Sequence, residues 1–212
     1  DQTVLVGLHD EKERQLMVLR KMVRLTAFLS FPLLFGLGLV SHEFIVLAIG
    51  EKWGLSASLL PYLCLCGAFM PLSTLLTDAI ISKGRSDVYL WSTIVLGVLQ
   101  IGLMVGLWRE GIYTMVIAYT LLNIVWVFVW NIFTYRLMGY RLLSFLKDIL
   151  PFGLLAAAAM ISTYLLTESI QNIYFLLLSR ILLAAVIYIS VLWLLKAKIL
   201  RESIIYIFKR KI

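Results

Sequence analysis

Between Leu25 and Ser41 the chain runs for 17 residues without a charge, directly after the basic cluster Arg20, Lys21 and Arg24. No other feature restricts the fold as much. A helix over Met22 to Ser41 is about 30 Å long at roughly 1.5 Å per residue, enough to cross a hydrocarbon core. Pro32 stands in mid-span, where a soluble helix would lose about 3 kcal/mol. A membrane helix tolerates it when a neighbouring helix satisfies the carbonyl that proline frees. The stretch therefore reads as a transmembrane helix. A polar break at His42-Glu43, an apolar run from Phe44 to Ile49 and a turn at Gly50-Glu51-Lys52-Trp53 close it.

The rest of the chain repeats the pattern. Uncharged or nearly uncharged runs cover Leu55 to Ser82, Val88 to Trp108, Gly111 to Tyr135, Ile149 to Thr167 and Ile173 to Leu195. Overall 62% of the residues are hydrophobic and 15% are charged, against about 25% charged in an average soluble domain. That surplus of apolar residues is too large for one water-surrounded core. The expected fold is all-α, a polytopic bundle of six membrane-spanning helices. Its parts are residues 1–24, a loop and helix start; 25–135, four transmembrane helices; 136–195, two more, entered through a basic link from Arg136 to Lys147; and 196–212, a basic amphipathic tail lying along the bilayer surface.

Charge sets the orientation. Of the 19 lysines and arginines, 16 fall in segments on one side of the six spans and two, Lys52 and Arg109, on the other; Arg180 lies inside a span. Positive residues resist translocation, so the 16-residue side is expected to be cytoplasmic, with both ends of the segment there. The same sorting explains the net charge of +7 without nucleic acid, because no basic patch lies away from the helix ends. Cys64 and Cys66 point about 200° apart on a helix, which suits neither a disulfide nor a zinc site. No cofactor or metal motif is present. The chain starts at Asp1, with no initiator Met and no leader, and reads as a piece of a longer protein.

Three stretches, in this order and spacing, resemble the polysaccharide and lipid-linked oligosaccharide flippases (O-antigen flippase-like) of the MOP superfamily, relatives of the MATE exporters. They are Arg24-Leu-Thr-Ala-Phe-Leu-Ser-Phe-Pro32 through Gly36, then Gly50-Glu51-Lys52-Trp53, then Ser82-Lys83-Gly84-Arg85-Ser86-Asp87. The resemblance covers about residues 10–140. It implies the carboxy-terminal part of a fourteen-helix protein, helices nine to fourteen, whose missing N-terminal lobe is a partner. It also implies a bacterial inner-membrane protein that flips an undecaprenyl-diphosphate-linked oligosaccharide for O-antigen, capsule or exopolysaccharide synthesis. Membrane lipids and a polysaccharide polymerase complex would be further partners.

Candidate substrate-binding residues are the polar groups within or beside spans. Asp78, near the inner end of its span, either contacts substrate or pairs with Lys83 or a neighbouring helix. Lys83 and Arg85 would meet a diphosphate arriving from the inside, or simply obey the positive-inside rule. Gln100 and Asn123 suit hydrogen bonding between helices. Tyr119, Asn123, Trp126 and Trp130 form one helical stripe that would stack sugar faces or merely pack. Arg180 would attract a pyrophosphate or an acidic sugar, or snorkel outwards along its stem; the family layout favours snorkelling. Pro32, Pro61 and Pro71 are hinge candidates for alternating access, Pro151 a further kink. Gly36, Gly38, Gly67, Gly97, Gly102 and Gly106 are expected at close helix contacts.

The rival functions are an ion-coupled MATE-type exporter, which needs a deep carboxylate, a membrane polymerase or ligase, and a non-catalytic subunit of a polysaccharide assembly complex. The enzyme reading is disfavoured by short outer connections. His42 and Glu43, the one neighbouring acid–base pair there, point about 100° apart on a helix.

Overall fold

The computed structural model describes the backbone of residues 2–194 and the side chains of residues 11–193. The 196–212 tail lies outside the described residues. Every regular element among the described residues is helical. They are α1 (Gln2–Leu39), α2 (Ser41–Ile49), α3 (Gly54–Ser82), α4 (Ser86–Leu107), α5 (Ile112–Met138), α6 (Leu142–Thr167) and α7 (Ile173–Leu194), with a single 3₁₀ turn at Glu51–Trp53 before α3. Six of them are long and apolar enough to cross a membrane; α2 and the turn link the first two.

Two boundaries depart from expectation. Where a loop and helix start were expected, α1 is already helical from Gln2, so its 38 residues span about 57 Å and overshoot any bilayer. The basic link from Arg136 to Lys147 is mostly helical as well. α5 continues to Met138 and α6 starts at Leu142, leaving only residues 139–141 between them. Gly139 makes this possible with a left-handed φ of 80°, its N–H donating to the Tyr135 carbonyl at 2.8 Å.

In space the helices follow the order α4, α5, α3, α1, α6, α7. α3 and α1 pack along their lengths, α5 covers the far side of α3, and α6 covers the far side of α1. α7 leans on α6 and α1, while α4 rests mainly on α5. Small residues bring α1 and α3 together. A Cβ at Gly38 would sit 3.6 Å from the Pro61 backbone, and one at Gly67 would press to 3.2 Å from Leu34. Ala27 and Ala68 are fully buried at the same contact, and Ser30 Oγ donates to the Ala68 carbonyl at 3.1 Å. Gly97, Gly102 and Gly106 on α4 do not play this part. An added Cβ at each meets open space, because that helix has few neighbours.

Pro32 sits inside an uninterrupted α1. Its ring removes the N–H that would bond the Phe28 carbonyl four residues earlier. Tyr188 of α7 takes the vacancy: its hydroxyl donates to Phe28 O at 3.0 Å. The freed acceptor is thus satisfied by a neighbouring helix, as bilayer physics requires.

Candidate functional site

Polar groups inside or beside the spans gather in three places. The first is a crevice of about 180 Å³ between α3, α4 and α5, roughly midway along those helices. Ser73, Thr74, Leu96, Asn123, Trp126 and Trp130 line it. It exists because α3 and α4 hardly touch. Gln100 Nε2 donates to Asn123 Oδ1 at 3.2 Å, joining α4 to α5, and Asn123 Nδ2 donates to the Tyr119 carbonyl at 2.8 Å. The Trp126 indole N–H is buried without an acceptor, a state that costs about 1–3 kcal/mol. Of the expected helical stripe, Asn123, Trp126 and Trp130 do share this wall.

From the crevice wall outward, Met70, Thr74 and Asp78 recur every fourth residue on an exposed face of α3. Asp78 has no ion pair among the described residues. The pairing with Lys83 does not form, because Lys83 Nζ turns to Gln15 on α1. Arg85 instead takes Asp87 in a bidentate pair at 3.0 and 3.1 Å. The carboxylate's hydrogen bonds hold that guanidinium above its ordinary pKa. Asp78, Lys83 and Arg85 therefore do not converge on one point. A carboxylate on an open span face is costly against lipid, so this face of α3 suits water or polar protein.

The second place lies toward the opposite end of the bundle. Arg180 is only 7% exposed, which excludes snorkelling. Its Nη1 donates to Glu43 Oε1 at 2.7 Å, its Nε to Thr167 Oγ1 at 3.2 Å, and its guanidinium stands 5.2 Å from the Tyr164 ring centroid. Glu43 is buried while His42 beside it is exposed, as adjacent helical positions require. The break after α1 thus turns an acid inward to meet an arginine 137 residues later. Arg180 is thus ion-paired with Glu43, and the same side chain lines a cavity of about 390 Å³ between α1, α6 and α7.

The third place, at the basic end, was not anticipated. Asp148 on α6 is 4% exposed and accepts from Arg20 Nε at 2.8 Å, Arg20 Nη2 at 3.1 Å and the Tyr140 hydroxyl at 2.8 Å. Arg24 Nε lies 3.1 Å from the same carboxylate. Burial, and then the Asp148 charge, push the Tyr140 phenol above its usual pKa, so it remains a donor. Asn131 donates to the Tyr140 carbonyl at 3.4 Å, fixing the short α5–α6 connection. The sequence signal was an acid within a helical span. It went unread because α6 was expected to start at Ile149, which left Asp148 in a polar link.

Among the described residues no group of His, Cys, Asp and Glu is arranged to hold a metal.

Fold and polar surfaces together define a multi-pass α-helical membrane protein that keeps polar and charged groups within its spans. Sequence comparison then narrows the class. The chain is similar to the teichuronic acid biosynthesis protein TuaB of Bacillus subtilis, 30% identical over 105 residues, which are 49% of this chain and 22% of that protein. It is similar to an uncharacterized membrane protein in the cps region of Klebsiella pneumoniae, 28% identical over 83 residues, 39% of this chain and 17% of that protein. It is also similar to the lipopolysaccharide biosynthesis protein WzxC of Escherichia coli, 28% identical over 81 residues, 38% of this chain and 16% of that protein. The matched part spans about a fifth of the length of these curated relatives. The resemblance to polysaccharide flippase-like proteins, first suggested by the motifs around Pro32, Trp53 and Arg85, is thereby shown, at low identity and over partial length. No protein-family model and no solved structure matches the chain.

Proposed function

We propose that this chain forms the carboxy-terminal part of a bacterial inner-membrane flippase that moves a lipid-linked oligosaccharide outwards for surface polysaccharide assembly. The observation that carries the reading is the α3–α5 face, where Thr74, Asp78 and the Asn123 amide stand among Met70, Trp126 and Trp130. Such a surface has no use against lipid, and it suits a water-filled path along which a glycan passes. The names of the relatives, which concern teichuronic acid and lipopolysaccharide biosynthesis, support the same cargo. The basic ends of the spans face the cytoplasm. Alternating access is the mechanism, with Pro32, Pro61 and Pro71 absorbing the bending and no covalent chemistry on the chain.

Within this reading Asp78, Lys83 and Arg85 line the inner entrance, Gln100 and Asn123 the mid-membrane section. The full-length protein supplies the other lobe, and a polymerase complex receives the product.

The test uses the full-length protein in its own host. Deletion is expected to abolish surface polymer and to build up the lipid-linked precursor on the inner leaflet. Asp78→Asn and Asn123→Ala are expected to lower export while the protein still inserts at normal abundance. Unchanged surface polymer after deletion would overturn the proposal. One alternative has a specific observation behind it: Asp78 is an exposed span carboxylate without an ion pair among the described residues, although it lies nearer the inner end of α3 than the deep position an ion-coupled MATE-type exporter needs. Gradient-driven transport of a labelled organic cation by reconstituted protein, lost in Asp78→Asn, would favour that alternative.

A further inference from the structure

Arg20 and Arg24 reach the one carboxylate of Asp148 from successive turns of α1, and they do not share it equally. Arg20 bonds both oxygens, and Tyr140 adds a third hydrogen bond. Arg24 arrives last. Its Nε sits 3.1 Å from Oδ1 but is misdirected, so this buried N–H makes no hydrogen bond. Coulomb attraction holds the guanidinium in place while its donors stay unused. Two arginines against one aspartate also leave the cluster with an excess positive charge. The Arg24 side chain is 41% exposed against 5% for Asp148, although its Nε is buried.

The positive-inside rule accounts for basic residues at this end of the spans. It does not call for two guanidiniums on one acid, nor for a buried N–H left without an acceptor. Arg24 also immediately precedes the charge-free run that begins at Leu25. That places it at the boundary between hydrocarbon and headgroups, the level at which lipid phosphates lie.

We propose that Arg24, held out by Asp148 and Arg20, binds a phosphate group carried by a membrane lipid at the basic face of the bundle. A guanidinium presents a planar fork that matches phosphate oxygens two at a time. Asp148 anchors the fork without neutralising it, because Arg20 and Tyr140 take most of its hydrogen-bonding capacity. Arg141 and Lys147, exposed at the start of α6, raise the positive potential on the approach. The phosphate belongs either to an ordinary anionic phospholipid or to a polyprenyl carrier. The first source is independent of the flippase reading; the second rests on it.

The experiment is native mass spectrometry of the full-length protein titrated with phosphatidylglycerol, with a polyprenyl monophosphate, and with diacylglycerol as the phosphate-free comparator. The expected result is preferential retention of at least one phosphorylated lipid over diacylglycerol. Arg24→Gln is expected to weaken that retention about tenfold, Arg24→Lys to restore part of it, and Arg109→Gln at the opposite face to leave it unchanged. Arg24→Lys keeps the charge at Asp148 and so guards against a variant that merely fails to fold. Retention of phosphatidylglycerol alone supports the site whatever the fate of the flippase reading, and retention of the polyprenyl phosphate assigns it to the carrier. Equal retention by Arg24→Gln and the unaltered protein, or no preference over diacylglycerol, would overturn the proposal.

Discussion

The two buried ion clusters sit toward opposite ends of α1, and they are built differently. At one end a single arginine meets a single glutamate, both nearly sealed, and a threonine, the Leu39 carbonyl and a tyrosine ring also contact the arginine. At the other, two half-open arginines meet one aspartate. The balanced, closed pair fastens α7 to the turn after α1, with one Glu43 oxygen buried without a hydrogen bond. An unbalanced, open one fastens α6 to α1 and keeps a cation in reserve. Both draw residues from within spans, where an ionisable group signals function by default. Charge ratio and exposure separate the structural case from the ligand-binding one.

The largest expected effect breaks the closed pair. Arg180→Leu or Glu43→Leu alone strands a buried charge and is expected to cost about 3–5 kcal/mol. Replacing both with leucine should recover most of that loss, measured by unfolding in mixed micelles. Recovery absent in the double variant would mean that Arg180 serves something beyond Glu43.

At the open cluster, Asp148→Asn should cost about 1.5–3 kcal/mol, since Arg20 loses two charge-assisted bonds but both arginines can still reach water. Tyr140→Phe should cost about 1 kcal/mol in the same measurement. A loss at Asp148 as large as at Glu43 would erase the distinction between the two ends.

The stitch between them matches the Tyr140 contribution in size. Tyr188→Phe leaves the Phe28 carbonyl without a donor, for about 1 kcal/mol. Adding Pro32→Ala restores the missing helix N–H, so the double variant should be less impaired than Tyr188→Phe alone. The smallest effect belongs to α4, where Gly102→Ala meets open space and should be neutral or stabilising by up to about 1 kcal/mol.

Hydropathy alone placed the six spans, because a span must satisfy its backbone internally and present apolar side chains whatever its neighbours are. Their ends were harder to read. Residues 136–147 looked like a basic link, and a helix start that carries Arg141, Lys147 and a buried Asp148 has no clear sequence mark. Gln100 and Asn123 were recognised as inter-helix hydrogen-bonding groups, and they do bond each other. Arg180 was seen but misjudged, since snorkelling and burial look identical until a partner is known. Asp78 and Lys83 lie close enough in sequence to suggest a pair, yet Lys83 donates to Gln15 from another helix.

By itself, the amino-acid order determined the membrane class, the number of spans and which of their ends are basic. Those properties follow from each segment's transfer between water and hydrocarbon, a sum over local residues. Tertiary structure alone decided which charges are neutralised. Glu43 and Arg180 meet across 137 positions, and Arg20 and Asp148 across 128. Coulomb energy depends on distance in space, and no local pattern encodes that distance.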